Sequence, residues 1–330
     1  IGYQAGDAMT DNSYNVIMGY QAFSAADSGE NQNVVIGYQA GGSINNTSSD
    51  NNVLIGMNAA AGGIGIISGC VAIGKNAMDG TGERNANQNV FIGSDSGGGS
   101  WAGQSDYNVA IGASTMTGAL NGANYNVAVG YGSLTAVTTG DNNVAIGGLV
   151  TLTSLTTASN NVAIGYSASR YNVTGGANVA VGTYSMRGAS GESHSSNTAV
   201  GYNSLYAITT GTANLVLGRD AGIAITTGGS NTILGSYSAR NLSTSSNNTV
   251  LGYNAFDLAT TGNADNIMIG RESGGGIVDD ATHNIAIGAL AFTAGNATNL
   301  GNIAIGSNSL NSTGTNAHTG TIAIGHNALT

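Results

Sequence analysis

Residues 160–182 read Asn160-Asn161-Val162-Ala163-Ile164-Gly165-Tyr166-Ser167-Ala168-Ser169-Arg170-Tyr171-Asn172-Val173-Thr174-Gly175-Gly176-Ala177-Asn178-Val179-Ala180-Val181-Gly182. The phrase Asn161-Val162-Ala163-Ile164-Gly165 returns 17 residues later as Asn178-Val179-Ala180-Val181-Gly182. Three β-branched or small residues followed by glycine are too short for a helix and read as a strand ended by a turn. Aligned on its glycine, the phrase runs from Gly2 to Gly325 in 19 copies, with every step 17, 18 or 19 residues. A repeat of this length is the signature of a solenoid, in which each coil packs only on its neighbours. The 330 residues are therefore read as one uninterrupted array, 1–330, with no linker. The chain opens inside a phrase and is expected to be an excerpt of a longer fibre.

The copies agree in chemistry as well as spacing. The residue before the glycine is always Ile, Val, Leu or Met. Four residues before the glycine stands Asn in 16 of the 18 copies that reach that far, with Cys70 and Thr321 the exceptions. Three residues after it stands Ala or Ser in 17 of 19, with Thr115 and Val150 the exceptions. An amide at one phase in every coil predicts a ladder of side-chain hydrogen bonds along the stack, with Asn143, Asn161, Asn178, Asn197 and Asn214 among its rungs. Large residues such as Phe23, Met78 and Leu205 follow the glycine and predict a second short strand that drops one side chain into the core.

Side chains alternate faces along a strand. The branched residues Val162, Ile164, Val179, Val181, Ile146, Ile287 and Ile305 are expected to fill the core of each coil. The opposite face is a row of small residues, including Ala145, Ala163, Ala180 and Ala199. Nothing solvates such a face well, so it is expected to lie against another copy of the chain. Coils stacked at about 4.8 Å would make a rod on the order of 85 Å long.

Composition excludes several functions. The chain has 54 Gly, no Pro, 7% charged residues and a net charge of −10. Seven Lys and Arg cannot supply the basic footprint that nucleic acid requires. No apolar span of 18 residues exists, so no membrane-crossing helix is expected. Cys70 is a small buried substitute for the ladder Asn. His194, His283, His318 and His326 fall in or beside turns at no metal-ligand spacing, and are read as surface residues. Asp95, Asp279 and Asp280 are candidates for Ca²⁺ or for glycan hydrolysis, but they are scattered and read as solvated turns. No cofactor or metal is expected, and no enzymatic activity. A hexapeptide acyltransferase prism fails because stepping six and twelve residues from Ile164 reaches Arg170 and Gly176, not aliphatics. Two aromatic features hint at recognition. Tyr follows the motif glycine at Tyr3, Tyr20, Tyr38, Tyr131, Tyr166, Tyr202 and Tyr253, and the single tryptophan, Trp101, sits off the repeat in Gly97-Gly98-Gly99-Ser100-Trp101 as a candidate receptor contact.

The segment Asn160-Asn161-Val162-Ala163-Ile164-Gly165-Tyr166-Ser167-Ala168 resembles the Asn-Ser-Val-Ala-Ile-Gly-x-x-Ser repeat of YadA-like trimeric adhesin heads. Thr198-Ala199-Val200-Gly201-Tyr202-Asn203-Ser204-Leu205 is also similar to shaft repeats of phage fibres. The resemblance covers the whole chain. It implies a parallel β-roll, three chains side by side in a homotrimer, and an extracellular place on a virion or a bacterial surface. The adhesin repeat is shorter, so wider coils are expected here. The function so implied is a structural shaft that mediates attachment, with a cell-surface glycan or receptor as partner. The alternative is a monomeric solenoid that binds or cleaves glycan.

Overall fold

In the computed structural model the chain is an all-β parallel β-solenoid of about 17 turns, with no helix among the described residues. The structure describes residues 1–293, 299–311 and 318–330. It groups into two compact units, Ile1–Asn161 and Val162–Thr330. In the first unit, strands of three residues from Val16–Met18 to Val144–Ile146 pair in parallel from coil to coil. In the second, the same ladder runs from Val162–Ile164 to Ile322–Ile324. Each residue lies opposite its repeat equivalent: Val162 opposite Val179, Ala163 opposite Ala180, Ile164 opposite Val181. Identical register in every coil places each sequence column in a vertical row, and this is what turns periodic chemistry into ladders.

The motif glycine ends each strand for two reasons. Gly201 has φ +136°, and a Cβ built on it would lie 2.5 Å from the Gly218 carbonyl oxygen. A side chain is therefore barred by backbone conformation and by the next coil together. A second parallel pairing, Ile67–Ser68 with Ala86–Asn87, forms late in two coils of the first unit, but the second strand expected around Phe23, Met78 and Leu205, just beyond the glycine, does not form in the described residues. The chain turns instead through left-handed residues two and four positions on, such as Ser167 (φ 53°) and Ser169 (φ 47°), with a third just before the ladder Asn, such as Ala177 (φ 58°). Each costs a non-glycine residue roughly 1–2 kcal/mol. Inter-coil hydrogen bonds hold them there: the Met186 N–H donates to the Ser204 carbonyl at 2.9 Å, and the Tyr184 N–H to the Tyr166 carbonyl at 2.9 Å.

The two faces of the strand are the reverse of the sequence expectation. Ala145, Ala163, Ala180 and Ala199 are fully buried inside their own coils. The branched residues point outward: Ile146, Ile164 and Ile287 are each 37% exposed and Ile305 36%, while Val162, Val179 and Val181 are half-buried. The physical reason is width. The residue at the strand centre faces the residue four positions after the glycine across a narrow interior, and the two share one volume. Where the strand offers Ala180, Ala199, Ala286 or Ala304, the turn supplies Met186, Leu205, Phe292 or Leu310, all fully buried. Where the strand offers Phe91 or Met268, the turn supplies Gly97 or Gly274. A Cβ on Gly97 would lie 2.5 Å from Phe91 Cδ1, and one on Gly274 would lie 2.5 Å from Met268 Sδ. Interiors packed to this density leave no room for Ile on the inward face of a coil that already holds Met186.

The Asn ladder is present. The Asn143 amide nitrogens, backbone N and Nδ2, donate to Asn126 Oδ1 at 2.9 and 3.0 Å, and those of Asn161 to Asn143 Oδ1 at 3.0 and 3.1 Å. In the second unit the backbone N and Nδ2 of Asn197 donate to Asn178 Oδ1 at 3.0 and 3.4 Å, and those of Asn214 to Asn197 Oδ1 at 2.9 and 3.0 Å. The remaining Nδ2 proton reaches a turn carbonyl of the next coil, as from Asn214 to Gly228 at 2.9 Å. A side-chain amide has two donors and two acceptor sites. Here all four are used, which is what lets buried polar groups recur along each unit without an unsatisfied member.

Candidate functional site

Two surfaces stand out. The first is the outward face of the strands. In the first unit it exposes Val16 (53%), Met18 (45%), Ile111 (39%) and Ile146; in the second, Leu215 (39%), Leu251 (40%) and Ile267 (36%) join Ile164, Ile287 and Ile305. Strand N–H and C=O groups already bond to neighbouring coils, so this face offers mainly hydrocarbon, interrupted in the second unit by Thr198, Thr232 and Thr249. Parallel sheets are ordinarily covered on both faces, and a contiguous apolar row of this kind marks a place where something docks.

The second surface is the corner that follows the motif glycine. In the first unit Tyr3, Tyr20 and Tyr38 stack face to face, at 5.4 Å and 15°, then 5.3 Å and 7°. Beside them Gln21 Nε2 donates to Gln4 Oε1 at 2.9 Å, and Gln39 Nε2 to Gln21 Oε1 at 3.0 Å. In the second unit the column is broken. Tyr184 stands two residues after its glycine, and Tyr206 and Tyr171 stand five and six after theirs. Their rings meet edge-on: Tyr166–Tyr184 at 5.3 Å and 88°, Tyr184–Tyr202 at 6.3 Å and 73°, Tyr184–Tyr206 at 6.2 Å and 81°. An open cleft of about 310 Å³ lies among Tyr184, Tyr202, Asn203, Tyr206 and Ile223.

Arginines gather at the same corner. Five of the chain's seven cationic residues, Arg170, Arg187, Arg219, Arg240 and Arg271, belong to the second unit. Arg187 lies 4.9 Å from the Tyr171 ring centre and 5.3 Å from that of Tyr206. Its Nη1 donates to the Tyr206 hydroxyl at 2.9 Å and its Nη2 to the Tyr171 hydroxyl at 3.4 Å. Arg219, between Tyr202 and Tyr237, pairs with Asp220 at 3.2 Å. Asp220 also accepts from Asn203 Nδ2 at 2.9 Å. Arg240 pairs with Asp257 and Arg271 with Glu272, whereas Arg187 has no carboxylate partner among the described residues.

The other residues singled out by sequence fall elsewhere. Trp101 is not a surface contact. It is 6% exposed, meets Phe91 edge-on at 6.0 Å, and donates from Nε1 to the Gly97 carbonyl at 3.0 Å. His194 is not a surface turn residue either. It is 1% exposed, both ring nitrogens lack partners, and burial pushes its pKa down to about 4. Cys70 is buried in the ladder row, its thiol pushed up to about 11 by desolvation. Asp95 is held below the usual carboxylate range by hydrogen bonds from Asn76 and Ser94, and Asp279 by Thr260 and Thr261; both serve turns. Asp257 and Glu272 line a groove of about 330 Å³, where burial raises the Asp257 pKa against the pull of Arg240. No cluster of three or more His, Cys, Asp or Glu that could hold a metal ion occurs among the described residues.

No family model, curated protein or solved structure matches the chain. Its functional reading rests on these two surfaces.

Proposed function

We propose that the chain is a shaft segment of an extracellular homotrimeric fibre, from a virion or a bacterial surface, whose role is structural and adhesive. The observation that carries the reading is the outward row of branched side chains, with Ile164, Ile287 and Ile305 more than a third exposed in a single chain. The row repeats once per coil, so the partner that fits it best has ridges at the same spacing. A second copy of this chain has them by construction. A closed ring prevents sideways polymerisation, and three is the number that the adhesin and fibre-shaft resemblance implies. Such a seam readily reaches the roughly 2,000 Å² and more of obligate interfaces.

The test is the mass of the purified protein in solution, with and without the double substitution Ile164→Arg and Val181→Arg. The wild type is expected near three times the 32.5 kDa chain mass, and the variant is expected as a folded monomer. A wild-type monomer with a complete β-sheet spectrum would overturn the trimer and favour the monomeric glycan-binding solenoid.

A further inference from the structure

The broken tyrosine column of the second unit has features that a purely structural corner does not require. In a chain of net charge −10, Arg187 is a cation without a carboxylate partner among the described residues. Tyr171 and Tyr206 hold it on both sides and fix its guanidinium through their hydroxyls. It stands beside a cleft walled by the rings of Tyr184, Tyr202 and Tyr206. Tyr202 is 46% exposed, so its ring is available to a ligand. Asp220, next to Arg219, is engaged by Arg219 and Asn203. The volume, about 310 Å³, lies at the small end of the range of roughly 300–1,000 Å³ for small-ligand sites.

We propose that this cleft is a subsite for an acidic saccharide, a pyranose bearing a carboxylate. The apolar face of the sugar lies on the Tyr202 and Tyr184 rings, Asn203 faces its hydroxyls, and the carboxylate turns toward Arg187. Aromatic rings supply a flat apolar platform with polar edges. A guanidinium presents paired N–H donors that match a carboxylate. Neither feature alone selects an acidic sugar; their juxtaposition does. The first unit supplies the internal contrast, because Tyr3, Tyr20 and Tyr38 stack on one another with no arginine beside them.

The inference rests on the adhesive part of the proposed function, and its test is independent of the mass measurement. The full chain is titrated with sialyllactose, with an oligogalacturonate, with neutral lactose and with inorganic phosphate, and binding is followed by calorimetry and by saturation-transfer NMR. At least one acidic saccharide is expected to bind saturably, at least tenfold more tightly than lactose or phosphate, and more weakly as salt rises. Arg187→Gln and, separately, Tyr202→Ala are expected to weaken that binding at least tenfold while keeping the wild-type β-sheet spectrum, and Tyr20→Ala in the first unit is expected to leave it intact. Equal binding of lactose, equal binding of phosphate, no saturable binding to either acidic saccharide, or full binding by folded Arg187→Gln would each overturn the subsite. A trimer that binds no sugar sinks only the subsite, and a monomer that binds sinks only the shaft.

Discussion

Tyr3, Tyr20 and Tyr38 in the first unit, and Tyr184, Tyr202 and Tyr206 in the second, are the same residue on the same corner of the coil, yet they build different surfaces. The first three occupy one repeat position. Parallel register then sets their rings about one coil apart, and they stack nearly flat. The second three occupy three different positions, so their rings cannot superpose; they meet at 73° to 81° and leave a cleft. A solenoid thus spends its periodic columns on self-contact, and opens a site where the column slips. The same contrast holds inside the coil. The periodic Asn ladder satisfies every amide, while the lone His194 is buried with both nitrogens unpartnered.

Substitutions in each column test this contrast. The largest effect is expected at the most strictly periodic column. Gly201→Val meets the Gly218 carbonyl at a φ of +136° and should lose about 4 kcal/mol or more in denaturant unfolding. Gly82→Ala, at φ +55° with nothing within 4 Å of the new methyl, should lose only about 1 kcal/mol; equal losses would deny that inter-coil crowding fixes the motif. Next comes acid. The His194 pKa falls from its ordinary 6.5 to about 4 on folding, so the unfolded chain binds the extra proton between those values. Stability is therefore complete above pH 6.5 and declines toward pH 4, by about 3 kcal/mol on the scale of 1.36 kcal/mol per pKa unit. His194→Leu should remove that decline; a variant with the same acid sensitivity would place its source elsewhere. Third is the ladder. Asn231→Ala removes the acceptor for both Asn248 nitrogens, each at 3.0 Å, and should cost about 2 kcal/mol, with faster hydrogen exchange at Asn248. The smallest effect belongs to the stacked tyrosines. Tyr20→Ala should cost about 1 kcal/mol, read as a shift in the urea midpoint; a shift as large as that of Asn231→Ala would make the tyrosine ladder a structural spine.

Much of the fold was legible in the sequence. Asn161-Val162-Ala163-Ile164-Gly165, repeated in phase, specified a parallel solenoid and its amide ladder because position in the repeat becomes position in the stack. The inward face was not legible from the strand alone, since Ala163 and Ile164 are both apolar and alternation says only that they differ. The deciding signal lay outside the strand, in the exchange of Ala180 with Met186 for Phe91 with Gly97. In these coils the strand-centre residue is large where the one six positions later is small, and that exchange marks a shared interior, although Val250 and Phe256 are buried together. The second strand expected after the glycine failed because alternating left-handed residues such as Ser167 and Ser169 leave no mark in composition. Of the candidate site, the tyrosine column could be read directly, but the cleft could not. Arg187 and Tyr206 share the fifth position after their glycines on neighbouring coils, Tyr202 stands at the first position and Tyr184 at the second, and only the stacking of those coils brings them together. Trp101 misled for the opposite reason: its glycine-rich surroundings look like an exposed turn, yet Phe91 and the Gly97 carbonyl hold the ring inside.

The ladder also bears on how the molecule ages. Asparagine deamidates when the backbone nitrogen of the following residue swings round to attack the side-chain amide carbon. For Asn214 that motion is blocked. Its amide is bonded above and below, it is 2% exposed, and the next nitrogen, on Leu215, donates to the Asn231 carbonyl at 2.8 Å. The hydrogen bonds that join coil to coil thus also shield a residue type prone to chemical decay. Asn121-Gly122, the sequence's one Asn-Gly step, stands outside that shelter with an exposed asparagine. The chemical clock of this protein therefore runs at Asn121, while the amides of the ladder keep their original chemistry.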